Sequence, residues 1–231
     1  MKIIAHRNET PGRQEGSIES LEYSAKEGIF AVECDVRKTG DGKYVIFHDG
    51  DLMRLAGVDK SVGEITLDEM KEHLKKAGRA VLTLDELIKN YKKATPILLH
   101  IKMHTPYKDL IECLKEAKDM FIFGVESLEM LDALKCFAEK DRLLAFMPQK
   151  EMYGAFIDHG IGIIRLWEHW LCDVTIKQVH ERGADEVWIM CNTKEHGMDG
   201  CPESLDMLKE LNADGALISD VEMAMGWLSG K

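Results

Sequence analysis

No stretch of this chain approaches the roughly 20 consecutive apolar residues that a membrane-spanning helix needs, so stable insertion into a bilayer is not expected. The opening Met1-Lys2-Ile3-Ile4-Ala5-His6 enters a strand-like run directly, without a secretory apolar region or a cleavage site, and a cytoplasmic location is the expectation. The six cysteines, at 34, 113, 136, 172, 191 and 201, form no C-x-x-C pair and no zinc-type spacing. Several sit in apolar segments, where a cysteine acts as a small buried hydrophobe, which fits a reduced compartment. Positive charge is scarce as well. A formal net charge of −11 leaves none of the basic patches that phosphate-backbone binding needs, so nucleic acid is not an expected partner. Recognition of an anionic substrate must then be local, through a few placed cations or a metal. Internal repeats and low-complexity tails are missing too.

What is present is alternation. Short apolar runs at 2–6, 30–36, 97–102, 121–125, 143–146, 162–166, 186–190 and 215–219 read as strands. Helix-like segments at 17–27, 85–91, 107–117, 128–139, 151–158, 173–182, 202–211 and 221–228 lie between them. Eight such units at 231 residues predict a (β/α)8 barrel, residues 1–231 forming one domain, more than a doubly wound sheet. Residues 43–47 read as an additional strand after the turn-rich Thr39-Gly40-Asp41-Gly42, a hairpin connection. Residues 49–84, with one helical pattern at 67–77 and several glycines, read as a small insertion near the barrel mouth.

The chemistry-bearing residues fall at strand ends. Side chains two apart share a face, so Ala31, Glu33 and Asp35 point one way and Val32, Cys34 and Val36 the other. The apolar set belongs against helices, which sends both carboxylates into the barrel near its C-terminal mouth. Two such carboxylates repel unless a cation lies between them, and oxygen donors suit a hard divalent ion; a salt-bridged pair is the alternative. The same alternation puts Leu98, His100 and Lys102 inside. His6 and His48 each end a strand, and imidazoles titrating near about 6.5 can divide general base and general acid duties. Arg7 offers a planar fork for phosphate oxygens and Lys102 a point charge. Arg165, Trp167 and Trp170 form a basic and aromatic group, either rim packing or a wall for part of a substrate.

These motifs, in this order, resemble the glycerophosphodiester phosphodiesterase family. His6-Arg7, Glu19 in Ile-Glu-Ser, Val32-Glu33-Cys34-Asp35-Val36, Thr39-Gly40-Asp41-Gly42 and Val45-Ile46-Phe47-His48-Asp49 are similar to its H-R, P-E-N-T, I-E-x-D-V, T-K-D-G and V-x-x-H-D elements. Further on, Leu82-Thr83-Leu84-Asp85-Glu86 resembles P-T-L-E-E, Asn192 the strand-seven asparagine, and residues 213–220 the closing V-D-G-I-I-T-D. The resemblance implies a barrel of the phosphatidylinositol-phospholipase-C-like kind with an insertion after its second strand. It implies hydrolysis of a glycerophosphodiester to an alcohol and glycerol 3-phosphate, with His6 and His48 as the acid–base pair. Glu33 and Asp35 would be metal ligands, Arg7 a phosphate contact, and Glu19 polar support for metal or substrate. Lys102 and Trp167 complete the expected substrate contacts.

Two positions depart from the family pattern. The proline and asparagine around Glu19 are Ile18 and Ser20, and the carboxylate of N-I-E-I-K is replaced by His100. The resemblance implies magnesium or calcium, whereas an imidazole ligand favours manganese, cobalt or zinc. Glu126 and Glu168 are further candidate oxygen donors. A catalytically weakened barrel that binds phosphodiesters or phosphosugars, and a related phospholipase-type lyase, are the alternative readings.

Overall fold

The alternating runs fold as a ring of staves with helices outside. The computed structural model describes residues 1–7, 12–191 and 199–230. In chain order the strands are β1 (Lys2–Ala5), β2 (Ala31–Lys38), β3 (Tyr44–Ile46), β4 (Asp51–Leu52), β5 (Val58–Ser61), β6 (Leu82–Thr83), β7 (Ile97–Ile101), β8 (Phe121–Val125), β9 (Leu143–Ala145), β10 (Ile163–Trp167), β11 (Glu186–Met190) and β12 (Gly215–Ile218). The helices are α1 (Ile18–Ser24), α2 (Met53–Ala56), α3 (Leu67–Lys76), α4 (Leu84–Asn90), α5 (Lys108–Glu116), α6 (Leu128–Leu134), α7 (Tyr153–Asp158), α8 (Ile176–Arg182), α9 (Pro202–Glu210) and α10 (Val221–Leu228). β1 pairs in parallel with both β2 and β12, closing the ring β1-β2-β7-β8-β9-β10-β11-β12. This is the expected (β/α)8 barrel, each of its eight strands lying within two residues of its expected ends. Among the described residues no helix is long and apolar enough to cross a membrane.

Several helices are shorter than the sequence pattern predicts, for local reasons. α8 begins at Ile176, not 173, because Thr175 and Gln178 form a capping box there. α6 stops at Leu134, not 139, where the chain turns back and Phe137 packs edge-on against Phe123, 5.8 Å between centroids.

Each barrel strand has two apolar faces, and they join different clusters. Val32, Cys34, Val36, Ile97, Leu99 and Ile101 belong to the layer between strands and helices, while Ile4, Ala31, Leu98, Leu144, Trp188 and Leu217 fill the barrel. The alternation therefore sorts the side chains as the sequence pattern predicts. Two glycines make room for rings inside the barrel. A Cβ at Gly124 would lie 2.4 Å from the Phe146 ring, and one at Gly215 would lie 2.8 Å from Trp188. At the N-terminal end Glu186 accepts from Lys2 Nζ at 2.6 Å and from Trp188 Nε1 at 2.7 Å, which seals the floor. Truncating a fully buried ring such as Trp188 costs about 3–5 kcal/mol.

β3 runs antiparallel to β2, and β6 pairs with β3, so the hairpin strand leads out of the ring. Between them β4, α2, β5 and α3 gather around their own apolar cluster, which includes Phe47, Leu52, Val62, Met70 and Leu74. The Thr39–Gly42 turn docks this unit on the barrel. Gly40 N–H donates to Ile65 O at 2.7 Å, Asp41 Oδ1 accepts from Leu67 N–H at 3.0 Å, and Gly42 sits at φ +83°. Gly40 must lack a Cβ, since one there would meet backbone atoms of Glu64, Gly63 and Ile65 at 3.0–3.1 Å.

Candidate active site

At the C-terminal mouth the inward positions turn polar. His6 follows β1, its N–H donating to Ile218 O at 2.8 Å and its Nδ1 lying 3.3 Å from Ser219 Oγ. Arg7 has a left-handed φ of +55°, an uncommon conformation for a side-chain-bearing residue. The turn aims the Arg7 N–H at Glu33 Oε2, 2.8 Å away. Glu33 and Asp35 are 1% and 4% exposed on β2. On β7, one strand over, His100 Nδ1 lies 3.0 Å from Asp35 Oδ1, and Lys102 Nζ lies 3.1 Å from the same oxygen. Lys102 Nζ also approaches His48 O at 3.3 Å, and Arg37 Nε donates to that oxygen at 2.9 Å.

His48 is held from the other side. Its Nδ1 lies 2.7 Å from Asp49 Oδ1, whose second oxygen accepts from Arg54 Nε of α2 at 2.6 Å. Arg54 in turn pairs with Glu15. A cleft lined by Arg7, Asp35 and His48 is lined by Leu55 and Ala80 as well. The residue 49–84 excursion thus lies beside the mouth and orients one of its histidines.

Burial and charge tune these groups in opposite directions. Burial and the adjacent Arg7 cation drive the His6 pKa from 6.5 to about 3, so its imidazole is neutral near pH 7. Burial also lowers His48, the Asp35 charge and the Asp49 hydrogen bond opposing it only in part. Burial and the negative charge of Asp35 push Glu33 well above the usual carboxylate range. Asp35 is buried too, but the hydrogen bond and charge of His100, with the charge of Lys102, hold its pKa low. The two carboxylates titrate as a pair, one carrying the charge and the other resisting it.

Glu33, Asp35 and His100 bring three buried ligand atoms within 4.8 Å of one another. Two oxygens and one nitrogen at that spacing fit a divalent cation. His100 is also engaged elsewhere. Its Nε2 lies 2.9 Å from Glu126 Oε1, and its ring stacks on Phe146 at 3.8 Å between centroids and 17° between planes.

The structure thus gathers His6, Arg7, Glu33, Asp35, His48, His100, Lys102 and Glu126 at one mouth. Trp167 ends β10, with the Arg165 guanidinium 4.4 Å over its ring. Glu168 is buried just after it, in a 3-10 turn. Glu19 is exposed in the first turn of α1, and among the described residues no hydrogen bond or ion pair ties it to the other site residues. Asn192 lies outside the described residues. The sequence reading passes over Ser219, Arg37 and Phe146. Ser219 shares the inward face of Gly215 and Leu217, which the period-2 rule exposes, and the bare Gly124 is the only sequence hint that a ring crosses there.

Fold and mouth together define a (β/α)8 barrel with paired histidines above buried carboxylates, at the end where such barrels carry their sites. Residues 6–151 match the model of the glycerophosphoryl diester phosphodiesterase family, more than half of the chain, and the chain belongs to that family. A Mycobacterium tuberculosis protein named "Probable glycerophosphodiester phosphodiesterase 1" is 30% identical over 125 residues, 48% of this chain and 46% of that one. The chain spans about half the length of the curated relatives it matches. A glycerophosphodiester phosphodiesterase of Thermotoga maritima has the same fold, with a TM-score of 0.74 and 20% identity, covering 96% of each chain. An Oleispira antarctica phosphodiesterase, solved with the product sn-glycerol-3-phosphate, gives a TM-score of 0.71 at 19% identity over 99% of this chain and 97% of that one.

Proposed function

We propose that this chain hydrolyses glycerophosphodiesters to an alcohol and glycerol 3-phosphate. The observation that carries the reading is the convergence of two imidazoles of lowered pKa on a mouth where Arg7 and Lys102 flank Asp35. An anionic phosphodiester seated against Arg7 and Lys102 raises both imidazole pKa values toward neutrality, since an opposite charge favours the protonated form. One histidine takes the proton of the attacking water as its oxygen bonds to phosphorus. The other protonates the alcohol oxygen as its bond to phosphorus breaks. Asp49 keeps the His48 ring in one orientation throughout. Glu33, Asp35 and His100 would hold a divalent cation, which supplies positive charge to a phosphate oxygen as a Lewis acid. The imidazole in that set favours manganese, cobalt or zinc over calcium.

A second reading, a barrel that binds phosphodiesters without turning them over, draws on His100. Both of its nitrogens face carboxylates and Lys102 meets Asp35, so the cluster already carries internal counter-charge. The deciding experiment is turnover of a glycerophosphodiester panel with manganese, magnesium, calcium or zinc, alongside calorimetric metal titration. His6→Ala and His48→Ala should each lower kcat by at least ~100-fold with the fold intact, the usual scale for a positioned acid or base. Wild-type rates in both variants overturn the assignment; phosphodiester binding without any turnover favours the second reading. Cyclic phosphate among the products would identify a substrate hydroxyl, not water, as the nucleophile.

A further inference from the structure

Arg165 is a buried charged side chain that the reaction above leaves unused. It lies on β10 between Ile163 and Trp167, both packed on the interior cluster, so it points inward. It is 4% exposed, and neither its Nε nor its Nη1 has a hydrogen-bond partner. Among the described residues no carboxylate lies in ion-pair contact with it. Glu126, Glu168 and Glu33 act on it only through space, and burial lowers its pKa to about 9, which still leaves it charged near pH 7. A buried guanidinium with unmet N–H groups is costly unless something supplies acceptors.

Position and surroundings indicate what that acceptor is. β10 stands four places round the eight-strand ring from β2, directly across the mouth from Glu33 and Asp35. Arg7 and Lys102, the phosphate cations of the proposed reaction, follow the strands on either side of β2. Whichever half of a diester reaches across the mouth from there meets β10. The aromatic faces at that position are already taken: the Arg165 guanidinium carbon lies 4.4 Å from the Trp167 ring centroid, 5.1 Å from Phe146 and 5.7 Å from Trp170. Rings arranged around a cation are what binds a quaternary ammonium group such as choline. Here the chain's own cation fills that cage, so a cationic headgroup meets like charge, while an oxyanion finds a planar fork of donors.

We propose that Arg165 forms a second anion subsite, which selects glycerophosphodiesters whose alcohol half carries its own oxyanion, a carboxylate or a phosphate. The inference rests on the phosphodiesterase reading. Its test uses four diesters of glycerol phosphate, with ethanol, choline, glycolate and 2-phosphoethanol as the alcohols. The last two separate carboxylate from phosphate. Wild-type kcat/KM should favour the better of these two over ethanol and choline by at least tenfold. That ratio should fall at least tenfold in Arg165→Gln, and by less in Arg165→Lys, which keeps the charge and loses the fork. The Lys variant decides the matter if the Gln variant fails to fold. A wild-type preference for ethanol or choline overturns the proposal, as does a ratio that neither substitution moves; Arg165 is then only a packed cation. Binding of the same diesters to His48→Ala, with and without Arg165→Gln, is read by calorimetry and needs no turnover. An absence of hydrolysis with Arg165-dependent tighter binding of the anionic diesters would overturn the hydrolase reading and keep the subsite.

Discussion

His6 illustrates how a single residue links chemistry to stability. Its imidazole has a folded pKa of about 3 against an ordinary 6.5, chiefly because burial disfavours the charged form. The unfolded chain therefore takes up a proton at pH values where the folded chain does not. This contribution to stability is fully present above pH 6.5 and is lost as the pH falls toward 3. Between the ordinary value and about pH 5 the loss amounts to about 2 kcal/mol, at roughly 1.4 kcal/mol per pH unit. Denaturant unfolding near pH 7 and pH 5 should show wild type losing about 2 kcal/mol more than His6→Gln. Equal losses would mean that His6 is not the buried neutral group described above. The identity of this residue was legible from its place at the end of the first apolar run. Its depressed pKa was not, because the burial responsible comes from strands far along the chain.

Strands and helices were the most readable level, since period-2 alternation needs only neighbouring residues. The inward sets Ala31-Glu33-Asp35 and Leu98-His100-Lys102 follow from that rule alone. Leu82-Thr83-Leu84-Asp85-Glu86, a family motif by its letters, also has a physical job. Thr83 and Glu86 form the capping box that starts α4, so the motif begins a helix. The clamp on His100 was not legible, because Asp35 and Glu126 come from β2 and from just past β8, strands that become neighbours of β7 only when the ring closes. Nor was the Phe146 stack, which depends on Gly124. At that glycine the expected outcome is definite: Gly124→Ala places a Cβ 2.4 Å from the Phe146 ring and should cost about 1–3 kcal/mol, as overpacking does. Adding Phe146→Leu should recover part of the lost melting temperature. A Gly124→Ala protein as stable as wild type would show that the ring does not lie there.

For the whole molecule, the count of eight units was enough to name the barrel, because few other arrangements bury eight parallel strands on both faces. The overall charge of −11 bears on the site only through contrast: under the proposed function, Arg7, Lys102 and Arg165 would draw in an anionic substrate against the sign of the surface. The unit between β3 and β6 has a different kind of independence. Its eight buried apolar residues pack on one another and on Val45 of β3, so it should open as a block while the ring stays closed. Opening it removes Arg54 from Asp49 and leaves the His48 ring free to rotate. Turnover should therefore vanish at a lower denaturant concentration than the far-ultraviolet circular dichroism of the barrel. Amides of α3 should exchange with solvent together, ahead of those in β7 and β8. Coincident activity and unfolding curves would instead make lobe and barrel one cooperative unit. If the curves separate, the protein has a dormant form reached by releasing one lobe, and any ligand that bridges Arg54 and Glu15 to the mouth would act as its restraint.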